Sequence, residues 1–269
     1  LGIPHHVADF RKIFADRVIA DFCSEYARGR TPNPCIRCNE HIKFGRFLET
    51  AETLGAGLIA TGHHARVEKD PGSGRFLLKK GRDEIKDQSY FLYRLGQYQL
   101  SRTLMPVGDL TKRQVREKAR ALGFPAAGAT ESQEICFVPG NDYPRFLESQ
   151  VPEAFKPGPI LDAHGRILGE HGGILHFTVG QRRGMRIAAA NPLYVLSIDP
   201  AANSIVIGPD EELYRKALTA SRLNYVSADA FETPTAVKAK IRYKHAEAEA
   251  LVIPEGTGKV LVEFEKAQR

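Results

Sequence analysis

The chain has 269 residues, of which 42% are hydrophobic, and it carries a formal net charge of +6. This composition excludes a disordered tail, and no apolar run approaches the ~20 residues that span a bilayer. The basic balance favours a polyanionic partner. The four cysteines form no disulfide-scaffold pattern and the chain opens without a signal peptide, so we expect intracellular thiols and a cytoplasmic protein.

The first 143 residues predict an α/β domain with a mostly parallel sheet, because helices alternate with strands. The predicted elements begin with a short strand at residues 6–10 and a helix at residues 11–28. A second helix has an apolar face of Phe44, Phe47, Leu48, Ala51 and Leu54, and a buried strand follows at residues 58–61. A third helix begins at a Thr111–Gln114 capping box and ends at Gly123, with Val115, Ala119 and Leu122 turned inward.

After residue 143, short strands and turns replace the helices. We predict a small β-domain at residues 144–212, in which residues 194–198 pair with residues 204–207 as a hairpin. Residues 213–269 predict part of a β-barrel, with strands at 237–243, 250–253 and 260–264.

The strongest chemical signal is Pro32-Asn33-Pro34-Cys35-Ile36-Arg37-Cys38-Asn39, which runs directly into the second helix. Asn39 is a good N-cap, which predicts Cys38 just before a helix N-terminus. The macrodipole there, with Arg37 nearby, favours a thiolate, the nucleophilic form of cysteine. The alternative is a zinc or redox CxxC site, but no second CxxC completes four zinc ligands. We therefore favour a reactive or cluster-binding pair.

Other positions give weaker signals. Cys136 lies in the loop at residues 131–137, and a lone cysteine is more often a small buried residue; we interpret Cys23 as such a core residue. Gly62 follows a buried strand and places His63 at the carboxyl edge of the sheet, where ligands bind in open α/β folds. An ordinary turn is the alternative interpretation there.

Three segments have side chains suited to RNA. Lys86-Asp87-Gln88-Ser89-Tyr90 is predicted as an RNA-facing loop or a solvated helix start. A basic row at residues 238–244 would share one face of a strand, and a row of like charges favours a polyanion. Gln181-Arg182-Arg183-Gly184 is a shorter basic turn. For both basic segments a merely solvated face is the alternative. The basic row consists of Lys238, Lys240, Arg242 and Lys244.

Together these motifs resemble the tRNA-uridine 2-sulfurtransferase (tRNA-specific 2-thiouridylase) family over essentially the whole chain. The resemblance implies a partial PP-loop (adenine nucleotide hydrolase-like) parallel-sheet domain, a small β-domain and a partial C-terminal β-barrel. It implies ATP-dependent (Mg²⁺) replacement of the C2 oxygen of the tRNA wobble uridine by sulfur from an upstream persulfide donor protein. The similar segments are residues 29–44, Ala60-Thr61-Gly62-His63, residues 86–92, Ile135-Cys136-Phe137, Val179-Gly180-Gln181-Arg182 and Ile241-Arg242-Tyr243.

Mapped residue by residue, the resemblance implies that Cys136 carries the persulfide and that Cys38 is its partner, nucleophile or disulfide-former. Gly62 would contact ATP. Cys35 stands where some members have aspartate. A [4Fe–4S] cluster on Cys35, Cys38 and Cys136 is an alternative, because a third cysteine at the pocket is otherwise unexplained and thiolates suit such centres. The implied tRNA contacts are Asn33, Pro34 and Cys35 at the target base, and His63, Lys86, Asp87, Gln88, Arg242 and Tyr243 elsewhere.

One family motif, the Ser-Gly-Gly-x-Asp-Ser phosphate loop, does not occur in this sequence and would precede Leu1. We expect both ends to be cut, since residues 1–4 read as the exit from a helix and the chain closes directly after the strand at 260–264. Because the basic row is present and the phosphate loop is missing, we expect this chain alone to bind tRNA but not to bind ATP usefully. Two other functions stay open. One is an iron–sulfur-dependent thiolase of the cytidine type, which the Pro-Asn-Pro-Cys lead-in fits poorly. The other is a non-catalytic basic RNA-binding module with a structural CxxC site.

Overall fold

The computed structural model of the protein describes residues 2–128, 135–256 and 258–269. Residues 131–134 of the Cys136 motif lie outside the described residues. The chain divides into two compact units, each assembled from separate stretches of sequence. The first unit consists of Leu1–Val18, Pro34–Gln133 and Arg222–Glu232, and the second of Ile19–Asn33, Glu134–Ser221 and Thr233–Arg269.

Most helices occur where the sequence predicts them, but the first two predicted helices each contain a π-helical stretch. These stretches are Ala15–Ile19 and Cys38–Arg46. Within the described ranges, no helix is long and apolar enough to cross a membrane. The α-helices are α1 (Arg11–Phe14), α2 (Ala20–Ala27), α3 (Pro34–Arg37), α4 (Phe47–Thr53), α5 (Gln97–Ser101), α6 (Lys112–Ala121) and α7 (Tyr143–Gln150).

In the part of the chain that the structure describes, the strands form two pairs and two four-stranded sheets. They are β1 (Ile59–Ala60), β2 (Ala65–Lys69), β3 (Phe76–Lys80), β4 (Thr103–Leu104), β5 (Gly158–Leu161), β6 (Ile167–His171), β7 (Tyr194–Asp199), β8 (Ser204–Gly208), β9 (Arg215–Ser221), β10 (Thr235–Ala239), β11 (Ala248–Pro254) and β12 (Lys259–Gln268). The sheet orders are β1-β4, β2-β3, β6-β5-β8-β7 and β10-β11-β12-β9.

In the first unit, β1 and β4 pair in parallel with Ile59 opposite Thr103. This agrees with the predicted parallel sheet, although β1 is shorter than the predicted strand and Leu58 is exposed. The strand predicted at residues 6–10 is wrong, because that stretch joins no sheet and Val7 is exposed. β2 and β3 form an antiparallel hairpin.

The core of the first unit confirms part of the predicted apolar face of the second helix. Phe44 and Leu48 are buried, whereas Phe47 and Leu54 are 41% and 55% exposed. The helix ends at Thr53, and Gly55, directly after its C-cap residue Leu54, adopts a φ of +83°. The buried core residues here are Phe44, Leu48, Ile59, Ala65, Leu92, Leu95 and Leu100.

Helix α6 has the predicted capping box. The Thr111 hydroxyl accepts a hydrogen bond from the Gln114 amide, and the Gln114 side chain accepts one from the Thr111 amide. Gly123 ends the helix with a φ of +70°. The inward placement of Leu122 is wrong: α6 stops at Ala121, so Leu122 lies in the cap and is exposed.

In the second unit, the predicted hairpin is confirmed, since β7 and β8 pair antiparallel with Val195 opposite Ile207. The last sheet contains the predicted strands at 250–253 and 260–264 within β11 and β12. Strand β10, however, ends at Ala239. The buried core of this unit includes Phe22, Leu147, Ile160, Leu175, Val195 and Ile205.

The early end of β10 overturns the predicted basic strand face. Only Lys238 lies in the strand, where it forms a 3.4 Å ion pair with Glu249 on β11. Lys240, Arg242 and Lys244 lie in the following turn. Their side chains therefore do not alternate on one strand face, and the period-two argument fails for them.

The segment between β9 and β10, Arg222–Glu232, packs in the first unit; we call it the strap. Val226 packs against the core of that unit. The Asn224 side-chain amide donates to the carbonyls of Tyr93 and Leu95 at 2.6 and 3.0 Å. The Gln97 side-chain amide donates to the Val226 carbonyl at 3.0 Å. Hydrogen bonds between side chains and main chain thus hold the strap. Gln97 donates to the main chain of the strap, and Asn224 of the strap donates to the main chain of residues 93 and 95.

Candidate active site

The helical segment that carries Cys35 and Cys38 begins earlier than the sequence predicts. α3 starts at Pro34, so Cys35 lies in its first turn. Cys38 follows one turn later, as the first residue of the π-helical stretch. The Asn39 cap is therefore wrong, and the thiol nearest the helix N-terminus is that of Cys35. Cys35 is exposed and Cys38 partly exposed.

Arg37 has a different role from the one predicted. Its guanidinium forms a 2.9 Å ion pair with Glu40, whose carboxylate also accepts hydrogen bonds from Arg94. Burial raises the pKa of Glu40, but the hydrogen bonds from Arg94 and Arg37 outweigh it and hold the pKa below its usual value. The positive charge of Arg37 is thus shared with a carboxylate one turn away.

Asn39 lies inside the protein, with 2% of its surface exposed. Its side-chain amide donates to the Phe91 carbonyl at 3.0 Å. Its Oδ1 is buried without a hydrogen-bond partner among the described residues. Asn39 directly follows Cys38, so this hydrogen bond fixes the main chain beside Cys38 to Phe91, which lies just after the Lys86-Asp87-Gln88 motif.

Gly62 and His63 lie where predicted, directly after β1. A Cβ atom added at Gly62 would meet nothing within 4 Å, so the main chain there is open to a ligand. The His63 ring is buried against Phe44, with 5.6 Å between ring centroids, and its Nδ1 is hydrogen-bonded to the Thr61 hydroxyl at 2.9 Å. Burial, followed by Lys43 and His64, lowers the pKa of His63 to about 4. His63 is thus neutral at pH 7.

The predicted RNA-facing loop is braced internally. The Asp87 carboxylate accepts from the amides of Gly81 and Ser89 at 2.9 and 3.2 Å and from the Ser89 hydroxyl at 2.7 Å. Gln88 and His64 exchange two hydrogen bonds of 2.9 Å: the Gln88 amide donates to the His64 carbonyl, and the His64 amide donates to the Gln88 side chain. Lys86 is partly buried.

Three motifs that are distant in sequence meet in the first unit. We call the helical segment at residues 34–46, which carries Cys35 and Cys38, the cysteine helix. Asn39 joins the cysteine helix to Phe91, Phe44 joins it to His63, and Gln88 joins its own loop to His64. Pro34 is buried in the same unit, and Asn33 is a partly buried residue of the second unit. The tRNA contacts of these residues stay predictions.

In the second unit, Cys136 is exposed between two anchored neighbours. Ile135 and Phe137 both pack against the core, and the Phe137 ring meets Phe22 edge-on with 5.4 Å between centroids. This arrangement presents the thiol to solvent on a fixed main chain. Cys23 is buried, and burial raises the pKa of its thiol, which confirms its interpretation as a core residue.

The cysteines are present as thiols, and no disulfide joins them. Throughout residues 2–128, 135–256 and 258–269, no three His, Cys, Asp or Glu side chains gather as metal ligands. Cys35 and Cys38 belong to the first unit and Cys136 to the second, and the [4Fe–4S] cluster on these three cysteines stays a prediction.

Two motifs of the second unit meet at a cavity of about 210 Å³. Its walls include Val179, Gly180, Ile241 and Arg242, and the Arg242 guanidinium lies 3.9 Å from the Cβ position of Gly180. Tyr243 has the Lys240 ammonium 5.7 Å from its ring centroid. The structure thus brings Arg242 next to the predicted basic turn rather than into a strand.

Comparisons with known proteins identify three family domains along the chain. A family model described as tRNA methyl transferase HUP domain matches residues 1–140. Models described as tRNA methyl transferase PRC-barrel domain and Aminomethyltransferase beta-barrel domain match residues 144–209 and 215–269. Together they confirm the predicted fold class.

Similar relatives bear the name tRNA-specific 2-thiouridylase MnmA, or MnmA 1 in the first case. That of Caldanaerobacter subterraneus subsp. tengcongensis is 48% identical over all of this chain and 74% of its own length. That of Acetivibrio thermocellus is 49% identical over all of this chain and 75% of its own, and that of Clostridioides difficile 44% over all of this chain and 74% of its own. The chain belongs to the tRNA-specific 2-thiouridylase family. The predicted resemblance is confirmed.

Sequence reasoning missed two residues of this 2-thiouridylase-family site, Glu40 and Arg94. No spacing links them, because Glu40 lies in the segment 29–44 and Arg94 lies just beyond the segment 86–92, and the two meet only through the fold. It also missed the π-helical stretch, although one signal for it exists. Gly45 stands inside a helix, where glycine is otherwise unfavourable, and a Cβ atom there would lie 2.9 Å from the Glu40 carbonyl oxygen.

Proposed function

We propose that the protein is an ATP-dependent tRNA-uridine 2-sulfurtransferase that replaces the C2 oxygen of the wobble uridine by sulfur. The observation that carries the proposal is the meeting of three motifs in the first unit, one of them the segment that contains Cys38, in a chain of this family. The relatives' name specifies 2-thiouridylation of tRNA. We expect the protein to act in the cytoplasm, with sulfur from an upstream persulfide donor protein.

The chemistry needs a good leaving group and a strong sulfur nucleophile. ATP supplies the leaving group: the uridine oxygen bonds to the α-phosphorus, pyrophosphate leaves and the N3 proton is lost. The terminal sulfur of a Cys136 persulfide then attacks C2, and AMP leaves. Cys38 thiolate attacks the Cys136 sulfur, the S–S bond to the uridine sulfur breaks, and the released 2-thiouridine regains its proton. The resulting disulfide is reopened by a two-electron thiol reductant.

The side chains fit these roles to different degrees. Cys136 is exposed on an anchored main chain, as a persulfide carrier must be to meet both donor and substrate. Cys38 is partly exposed at the start of the π-helical stretch. Gly62 leaves the main chain open for the nucleotide. Because His63 is neutral, it would contact tRNA as a hydrogen-bonding group and not as a cation.

Mass analysis of tRNA nucleosides from a strain that lacks the gene tests the proposal. We expect 2-thiouridine to disappear, and to return with the wild-type gene but not with the Cys136→Ser variant. The control is Cys23→Ser, which should restore it. Loss of 2-thiocytidine instead, or of a methylated nucleoside, would assign a different reaction.

The iron–sulfur alternative is tested by purification without oxygen, followed by iron and sulfide assays and a visible spectrum. Because a thiolate pair, Cys38 and Cys136, suffices for the persulfide route, we expect a colourless, iron-free and active protein. A cluster that is lost together with activity in Cys35→Ala would decide for the alternative.

A further inference from the structure

We propose that Arg94 is a positioning residue for Cys38, acting through Glu40, and that the strap holds Arg94 in place. The inference rests on the proposed function of Cys38. It concerns residues that none of the sequence motifs assigned to the reaction.

Arg94 connects two structures through different edges of its guanidinium. Nε and Nη2 both donate to Glu40 Oε1, at 3.2 and 2.8 Å. Nη1 donates to the Arg222 carbonyl of the strap at 2.9 Å. One side of the group therefore holds the helical segment of Cys38, and another side holds the strap. A planar, forked cation can make both sets of bonds at once, whereas a lysine ammonium cannot reproduce this geometry.

The ion pair between Arg94 and Glu40 is partly buried, so its loss would affect the position of the main chain around it. The Arg94 and Glu40 side chains are 25% and 19% exposed, so solvent screens them less than it screens surface pairs. Removal of Arg94 would leave a partly buried carboxylate with fewer donors, and the segment would have to move to solvate it. The main chain near Cys38 therefore depends on this contact.

The strap fixes the main chain on both sides of Arg94. Asn224 donates to the carbonyls of Tyr93 and Leu95, the two neighbours of Arg94. Asn39 adds a bond from the other direction, to the Phe91 carbonyl. Residues 91–95 are thus held between the strap and the cysteine helix, and a shift of the strap would reach Cys38 through two consecutive residues, Asn39 and Glu40.

The conformation that this network supports is unusual. Cys38 begins a nine-residue π-helical stretch. This geometry is rare in proteins as a whole, and where it occurs it is frequently found at functional sites. Asn39 and Glu40 are the next two residues, so their outside contacts act on its first turn. Without them the stretch can relax toward an α-helix, which would rotate the Cys38 thiol relative to Gly62 and His63.

The test compares Arg94→Ala, Arg94→Lys and Asn224→Ala in the intact enzyme. A small misplacement of a reacting group costs roughly 10–100-fold in rate. We expect Arg94→Ala to lower kcat for thiolation by that factor without raising KM for tRNA. Arg94→Lys should recover part of the loss, and Asn224→Ala should show a smaller loss of the same kind.

A second readout does not depend on the reaction. Amide hydrogen exchange in Cys38–Arg46 and alkylation of Cys38 should both become faster in Arg94→Ala and Asn224→Ala, while alkylation of Cys136 stays unchanged. Arg46→Ala is the matched control, because Arg46 forms an exposed ion pair with Glu49 on the same segment. If Arg94→Ala does not fold, Arg94→Lys and Asn224→Ala carry the test.

The outcomes separate the two proposals. Unchanged exchange and alkylation would overturn the positioning role, as would a raised KM with an unchanged kcat, which would make Arg94 an RNA contact. A deletion strain that keeps its 2-thiouridine would overturn the proposed function, and the exchange measurement would still decide the contact between Arg94, Glu40 and the strap.

Discussion

Cys38 and Cys136 are supported in different ways, one by a helical segment and the other by two core-anchored neighbours. We expect Cys38→Ser and Cys136→Ser each to abolish thiolation while tRNA affinity changes only slightly. The double variant should be no worse than either single one, because residues that act as a unit give non-additive losses. Thiolation assays and filter binding measure the two quantities.

Cys23→Ser is the control for that prediction, since its thiol is buried and its pKa is raised by burial. It should retain most activity. An essential Cys23 together with a dispensable Cys136 would show that the sulfur-carrying pair has been assigned wrongly.

His63 should make the stability of the protein depend on pH. Its pKa is lowered from 6.5 to about 4, so the folded state prefers the neutral ring. The contribution of the neutral His63 ring to the free energy of unfolding is fully present above pH 6.5. It is lost, by up to about 3 kcal/mol, as the pH falls through the folded-state pKa. Urea unfolding at pH 7 and pH 4.5 should show a smaller drop in His63→Gln than in the wild type. Equal drops would mean that the ring can be protonated where it lies.

At the scale of elements, the π-helical stretch reverses an ordinary expectation about glycine. In a helix, Gly→Ala usually stabilises by about 1 kcal/mol. At Gly45 the added Cβ would lie 2.9 Å from the Glu40 carbonyl oxygen, so we expect Gly45→Ala to lower the free energy of unfolding. Gly57→Ala is the control, because a Cβ there meets nothing within 4 Å. Stabilisation by Gly45→Ala in urea unfolding would argue against the π geometry.

The turn after β10 gives a second prediction at this scale. Arg242 lies beside Gly180, whereas Lys238 is paired with Glu249. Arg242→Glu should weaken tRNA binding and reduce the slope of log K against log salt by about one. Lys238→Glu, the matched control, should change the slope less. Equal effects would mean that the whole segment contributes only its net charge.

Across the whole molecule, sequence predicted what depends on local pattern. The Thr111–Gln114 cap and the β7–β8 hairpin each follow from residues close in the chain. The Arg94 contacts could not be predicted, because they join residues 54 and 128 positions apart. The predicted basic strand failed because alternation alone does not show where a strand stops pairing.

The site was predicted in the same uneven way. The fold brings together segments that the motifs named, and the buried Cys23 matches its interpretation as a core residue. Whether Asp87 and Gln88 point outward could not be read from their polarity, since a polar side chain binds its own main chain as readily as a ligand. In the structure both brace the loop.

The strap also sets the order in which this protein can mature on the ribosome. Synthesis is vectorial, and a nascent chain that ends at Ser221 lacks Asn224 and Val226, which support the first unit. We expect ribosome-stalled chains ending there to be cleaved by protease near residues 93–95, and chains ending at Glu232 to be protected. Equal protection would mean that the unit matures without the strap. Residues 209 and 215 mark the junction of two family matches. An expression fragment that ends at this junction would lack the strap, which is synthesised more than a hundred residues after the cysteine helix.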